Sequence, residues 1–186
     1  MSQYTVIADV GNSIVELLRE QMTPEPVQQP EYIGLSSPVD KGDLSLSIYL
    51  FRVQEAMQRR HDMISRGAGV MQYPPMTIEL QYLITAHSTA ALQSRAADEQ
   101  RILGRAMQVL YDYSVIKAPH LLGTLADSNE ELHLVMSQLP MDTLVALFPN
   151  TPYKLSVCYT VGPVYIDSTR TKQTKRVLDR NIVIQG

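Results

Sequence analysis

A chain of 186 residues with 45% apolar and 19% charged residues can bury a sizeable core, which excludes intrinsic disorder. The net charge of −3 is too acidic overall for a general nucleic-acid binder. No apolar run approaches the roughly 18 residues of a membrane span, and the opening MSQYTVIADV lacks the cationic and apolar regions of a secretory signal. The single cysteine, Cys158, cannot form an internal disulfide. These features point to a protein made and assembled in a reducing cytoplasm, with no membrane and no nucleic acid among its partners.

The first predicted element is a helix over 4–21, in which Ile7, Val10, Ile14, Leu17 and Leu18 form one stripe. Gly11 interrupts it and implies close packing against another element. Pro24, Pro26, Pro30 and Pro38 exclude a helix from 22–43, leaving room for a short edge strand at Tyr32 to Leu35. From Asp43 the period becomes two, and a strand is expected over 44–54, half-buried at its start and apolar on both faces further on. The stretch Glu55–Pro75, with glycines at 67 and 69 and the cations Arg59, Arg60 and Arg66, predicts a long loop serving as an interaction arm. A second strand follows over 76–86, so that the two strands and the arm make an antiparallel ribbon with an extended tip.

Residues 95–113 give the clearest helix, with Leu103, Ala106, Met107 and Leu110 on one face and Asp98 and Glu99 expected in its first turns. Strands over 131–136 and 153–166, the latter broken at Gly162-Pro163, flank a short helix over 141–148. Opposite periodicities without βαβ repeats predict an α+β fold: one domain, residues 1–167, with a mixed or antiparallel sheet flanked by helices. The remaining 168–186 form a basic extension in which Arg170, Lys172, Lys175, Arg176 and Arg180 face Asp179 alone. That gives +4 for the extension and leaves −7 on the rest. It closes on the apolar run Ile182, Val183, Ile184. Such a tail suits attachment to a neighbour's acidic surface, with Ile182 and Ile184 supplying specificity, or a return onto its own acidic body.

Chemistry finds no foothold. The sequence holds no phosphate loop, zincin motif, C-x-x-C pair or nucleophile elbow. His61, His87, His120 and His133 match no zinc spacing and read as ordinary loop or terminus residues. Cys158 reads as an inert core thiol. No catalytic, cofactor or metal residue is expected, and the chain is read as a non-enzyme.

In order along the chain, VIADVGNSIVELLREQM, SIYLFRVQEA, PPMTIELQYLITAHS, DEQRILGRAMQVLYDYSVI and TPYKLSVCYTVGPVYID resemble the tail-terminator (cap) proteins of contractile injection systems, from about Tyr4 to Asp167. These are the phage tail-like particles related to the antifeeding prophage and Photorhabdus virulence cassettes. The chain departs from that pattern in lacking any tryptophan and in its short tail. The resemblance implies a contractile-tail terminator-like fold and a structural role: a homo-oligomer, six-fold in the particle, ending the inner tube and sheath and anchoring the sheath during contraction. Its partners would be sheath and inner-tube proteins. A baseplate or tube-initiator component of the same machinery is the alternative, ahead of a ligand-binding or enzymatic α+β domain.

Overall fold

A computed structural model describes residues 4–56, 62–67, 69–127 and 129–173. The first helix, α1 (Val6–Met22), buries Val10, Ile14, Leu17 and Leu18 of the predicted stripe together with Val6, while Ile7 of that stripe is half-buried. A short 3₁₀ turn leads into β1 (Ile33–Leu35), which pairs in parallel with β2 (Leu46–Glu55). Two brief strands, β3 (Ile64–Ser65) and β4 (Val70–Gln72), precede β5 (Met76–Ala86). Then come α2 (Leu92–Asp112), β6 (Val115–Ile116), β7 (Leu132–Ser137), α3 (Met141–Ala146), β8 (Ser156–Ile166) and β9 (Thr171–Gln173). Six strands make one sheet in the order β1-β2-β5-β8-β7-β6, antiparallel except at β1, and β3-β4-β9 make a second, smaller sheet. The architecture is the expected α+β fold with a mixed sheet.

The strand β5 lies at the centre because it is apolar on both faces. Leu80, Tyr82, Ile84 and Ala86 face the helices, and Leu83 is equally buried on the other side. Against it, α1 and α2 (through Ile102, Leu103, Ala106, Val109 and Leu110) close one core with Leu46, Ile48, Leu134 and Val161. Gly11 is small for the reason its place in the stripe implies. An added Cβ would stand 3.1 Å from a Leu35 methyl and 3.5 Å from the Tyr82 hydroxyl. The helix α1 is also clasped by a later loop. Asp9 accepts hydrogen bonds from Thr124 N at 3.0 Å and Thr124 Oγ1 at 2.7 Å, and Ser13 Oγ accepts one from Leu122 N at 2.9 Å. Gly123, at φ +60°, leaves no room there: a Cβ would come within 2.3 Å of Asp9 Oδ1.

Two irregularities bend the sheet. On β2 the pairing slips between Leu50 and Arg52, leaving Phe51 as a bulge. On β8 the two residues Gly162 and Pro163 stand opposite Glu79 alone. Bulges increase the local right-handed twist, and Gly162 sits closely there: a Cβ would lie 3.2 Å from Glu79 Cγ and 3.4 Å from Ile78 O. The expected break in β8 is thus a bulge within one continuous strand. The burial of β2 runs opposite to the expectation. Its first residues are buried and its last, Arg52, Val53 and Glu55, are exposed, because the strand leaves the helices behind after Phe51. The helix α2 starts at Leu92, so Asp98 and Glu99 lie beyond its first turn. Asp98 accepts from Ser88 Oγ, and Glu99 accepts from Ser88 N and pairs with Lys154 at 2.9 Å.

The sheet face away from the helices carries a buried polar ladder. Ser47, Thr85 and Ser156 are cross-strand neighbours, Thr85 Oγ1 and Ser156 Oγ lie 2.8 Å apart, and Ser47 Oγ meets His87 Nε2 at 2.9 Å. His87, read from the sequence as an ordinary terminus residue, is 2% exposed, and its Nδ1 has no partner among the described residues. Burial first, then the Lys154 and Lys41 charges, lower its pKa to about 4, with Glu99 opposing. Cys158 is buried in the same sheet, and burial raises its pKa to about 11, as an inert thiol requires.

Because the folded pKa of His87 lies below its unfolded value, the unfolded chain binds the extra proton. The neutral ring's contribution is complete above about pH 6.5 and is lost as pH falls through about 4. Urea unfolding at pH 7.5 and 4.5 should show this group's share as roughly 2–3 kcal/mol lost at the lower pH. His87→Gln should reduce the difference between the two pH values by that amount; an unchanged difference would show that the ring does not titrate as the burial requires.

Candidate assembly interface

The segment expected to be a long loop contains, among its described residues, two short strands. After β2 the chain forms the β3–β4 hairpin, closed by Arg66 N donating to Val70 O and Val70 N donating to Gly67 O, both at 2.9 Å. Gly67 at φ +83° and Gly69 at φ +75° supply the left-handed backbone that this turn demands. Onto the other side of β4 comes β9, with Val70, Met71 and Gln72 opposite Gln173, Lys172 and Thr171. The described part of the basic extension therefore returns onto its own arm, and the 167/168 boundary falls inside a connected structure.

Three of the candidate interface residues meet on this small sheet. Arg66 donates through Nε to Gln72 Oε1, and its guanidinium lies 3.9 Å from Asp167 Oδ2. The Arg170 guanidinium sits 4.4 Å from the centre of the Tyr73 ring, and Tyr73 N donates to Arg170 O at 3.0 Å. Lys172 pairs with Met71, and all three residues of β9 are exposed. Arg59, Arg60, Lys175, Arg176, Arg180, Ile182 and Ile184 lie outside the described residues.

Gln72 is the residue that sequence reading missed. It is buried on an arm whose other strand residues are half-buried or exposed, accepts from Arg66 and donates through Nε2 to Ser168 O, so one amide joins the hairpin to the start of the extension. An apolar-flanked glutamine beside two prolines gives no sequence signal of this; only the pairing of distant segments makes it a pin.

The arrangement offers main-chain hydrogen-bonding edges flanked by cations, a chemistry suited to recognising other proteins. Among the described residues, no three His, Cys, Asp or Glu side chains gather as a metal site, and no helix is long and apolar enough to cross a membrane.

A curled mixed sheet is clasped by two helices and extended by a basic three-stranded arm. The chain belongs to the Pvc16 N-terminal domain family, whose family model matches residues 9–180. That match runs past Asp167 and takes in β9. The fold is similar to a solved structure described as the PVC sheath/tube terminator in extended state, from an extracellular contractile injection system. The TM-score is 0.62 at 17% identity, over 100% of this chain and 65% of that one. This chain therefore spans about two thirds of the length of the protein it resembles. No curated protein matches it.

A cation over an exposed aromatic ring contributes about 0.5–1 kcal/mol. Tyr73→Ala should therefore speed amide exchange across Thr171–Gln173 by about 2- to 5-fold while leaving the centre of β5 unchanged. Equal exchange in the two proteins would mean that the Arg170–Tyr73 contact does not hold β9 to the arm.

Proposed function

We propose that this protein is a structural terminator of a contractile injection system, closing the end of the inner tube and sheath. The observation that carries this is the match of fold along the whole chain to a sheath/tube terminator, together with membership of the Pvc16 N-terminal domain family. The chain acts as one copy in a closed ring, six-fold to match the layer beneath it, with the arm of each copy reaching towards a neighbour or the sheath. Closed rings present the same arm around one axis at every step, so a short arm becomes a continuous contact. The ring anchors the sheath when it contracts. No step in this role needs bond-making chemistry, and the protein is a non-enzyme assembled before the particle leaves the cell.

The test is location and number. A tagged copy viewed in intact particles by electron microscopy should appear as a single ring of six at the end opposite the baseplate. Density at the baseplate end, or a ring of any other count, would contradict the proposal.

A further inference from the structure

In the six-stranded sheet β1 covers only the start of β2. Their pairing ends at Leu35 with Ile48, while β2 runs on to Glu55. Beyond that point, among the described residues, no strand lies on that side of β2. The bare edge spans 49–55, about 23 Å at the usual strand rise. Its main-chain directions follow from the bonds at either end. Ile48 O accepts from Ser36 N, just past β1, at 3.1 Å, so strand alternation turns the Leu50 N–H and C=O outward as well. After the bulge at Phe51 the phase is set by Ala56 N, which donates to Thr77 O on β5 at 2.9 Å. Val53, three residues earlier, therefore also faces outward. Unpaired strand edges are templates for another strand.

The other edges offer less. On β7, β6 and Ser114 take the outer side as far as Leu134. The strand β3 has two residues, and on β1 Ile33 O already accepts from Arg19 Nε at 3.0 Å. The strand β9 is open, but all three of its residues are exposed, so it presents main chain with no wall beside it.

The β2 edge has a wall. Where β1 stops, a groove of about 520 Å³ opens between Ile7, Ala8 and Gly11 of α1 and Leu35, Leu50 and Tyr82 of the sheet, and no charged residue lines it. At its floor, beneath Gly11, the hydroxyl of Tyr82 has no hydrogen-bond partner among the described residues, although Tyr82 is 1% exposed. Buried polar atoms are nearly always paired, so the groove is incomplete at its floor as well as along its edge. On the opposite face of β2, Arg52 stands exposed beside Gln81 with no ion pair among the described residues.

We infer that the bare edge of β2 is a docking site for an extended segment of a partner protein, with uncharged apolar side chains on one face and a carboxylate on the other. Main-chain bonds to Leu50 and Val53 give the affinity, the apolar side chains fill the groove and fix the register, and the carboxylate meets Arg52. The site lies on the main sheet, apart from the edges of the basic arm, and does not depend on the terminator reading.

Hydrogen exchange on the full chain tests this with a capped synthetic peptide, Thr-Val-Glu-Val-Thr, whose valines share one face and whose glutamate lies on the other. At millimolar concentration it should slow exchange at Leu50 and Val53 by about 5-fold and leave Met136 and Thr171 unchanged. Replacing its glutamate by lysine should remove most of that effect, and with Arg52→Glu in the protein the lysine peptide should become the better of the two. Ala8→Trp fills the groove from an exposed helical position. It should abolish protection by either peptide while leaving the centre of β5 unchanged. No slowing at Leu50 and Val53, or slowing that survives Ala8→Trp, would overturn the proposal. So would protection of these two amides that grows with protein concentration in the absence of peptide, because a second copy would then fill the edge. The readout needs no particle, so its failure leaves the terminator reading standing.

Discussion

The double-sided burial of β5 is the constraint from which the other features follow. Its inner face, Leu80, Tyr82 and Ile84, needs the helices, and its outer face, Leu83 and Thr85, needs its own cover. Both edges are paired over nearly their full length, with β2 and with β8. A strand so placed cannot slide, because a one-residue slip would exchange its two faces. The arm inherits that fixity. The strand β4 leads into β5, β9 follows β8, and the two pairs run side by side, so the basic sheet is an extension of the central ladder rather than a separate attachment.

Fixity of this kind is what a load-carrying contact in an assembly needs. In the terminator role proposed above, force at the arm would pass into the main-chain hydrogen bonds of β5 and β8. The bulges at Phe51 and at Gly162-Pro163 add local twist to the strands on either side of β5. The arm carries Arg66, Arg170 and Lys172, while residues 1–167 taken together sum to −7.

Much of the fold was legible because its long elements have strong periods. The helix stripe of α1, the two long central strands and β7 emerge from spacing alone, and Gly11 announced a close approach that Leu35 and Tyr82 supply. What escaped depends on partners distant in sequence. The hairpin of Ile64–Ser65 with Val70–Gln72 is too short to carry a period, and β9 forms only because Gln72, Tyr73 and Asp167 meet it. His87 looked like a terminus residue because nothing local shows that Ser47, 40 residues earlier, lies beneath its ring. Of the candidate interface, Arg66, Arg170 and Lys172 were readable as cations, but their gathering on one sheet was not.

The most direct measurement of the account is the length distribution of particles made without this protein. A terminator stops growth of the tube and sheath. Cells lacking the chain should therefore yield tubes of broad, uncontrolled length with sheaths that fail to stay extended, and supplying the chain in trans should restore one sharp length. Particles of normal length and normal extended sheath in its absence would contradict the central claim.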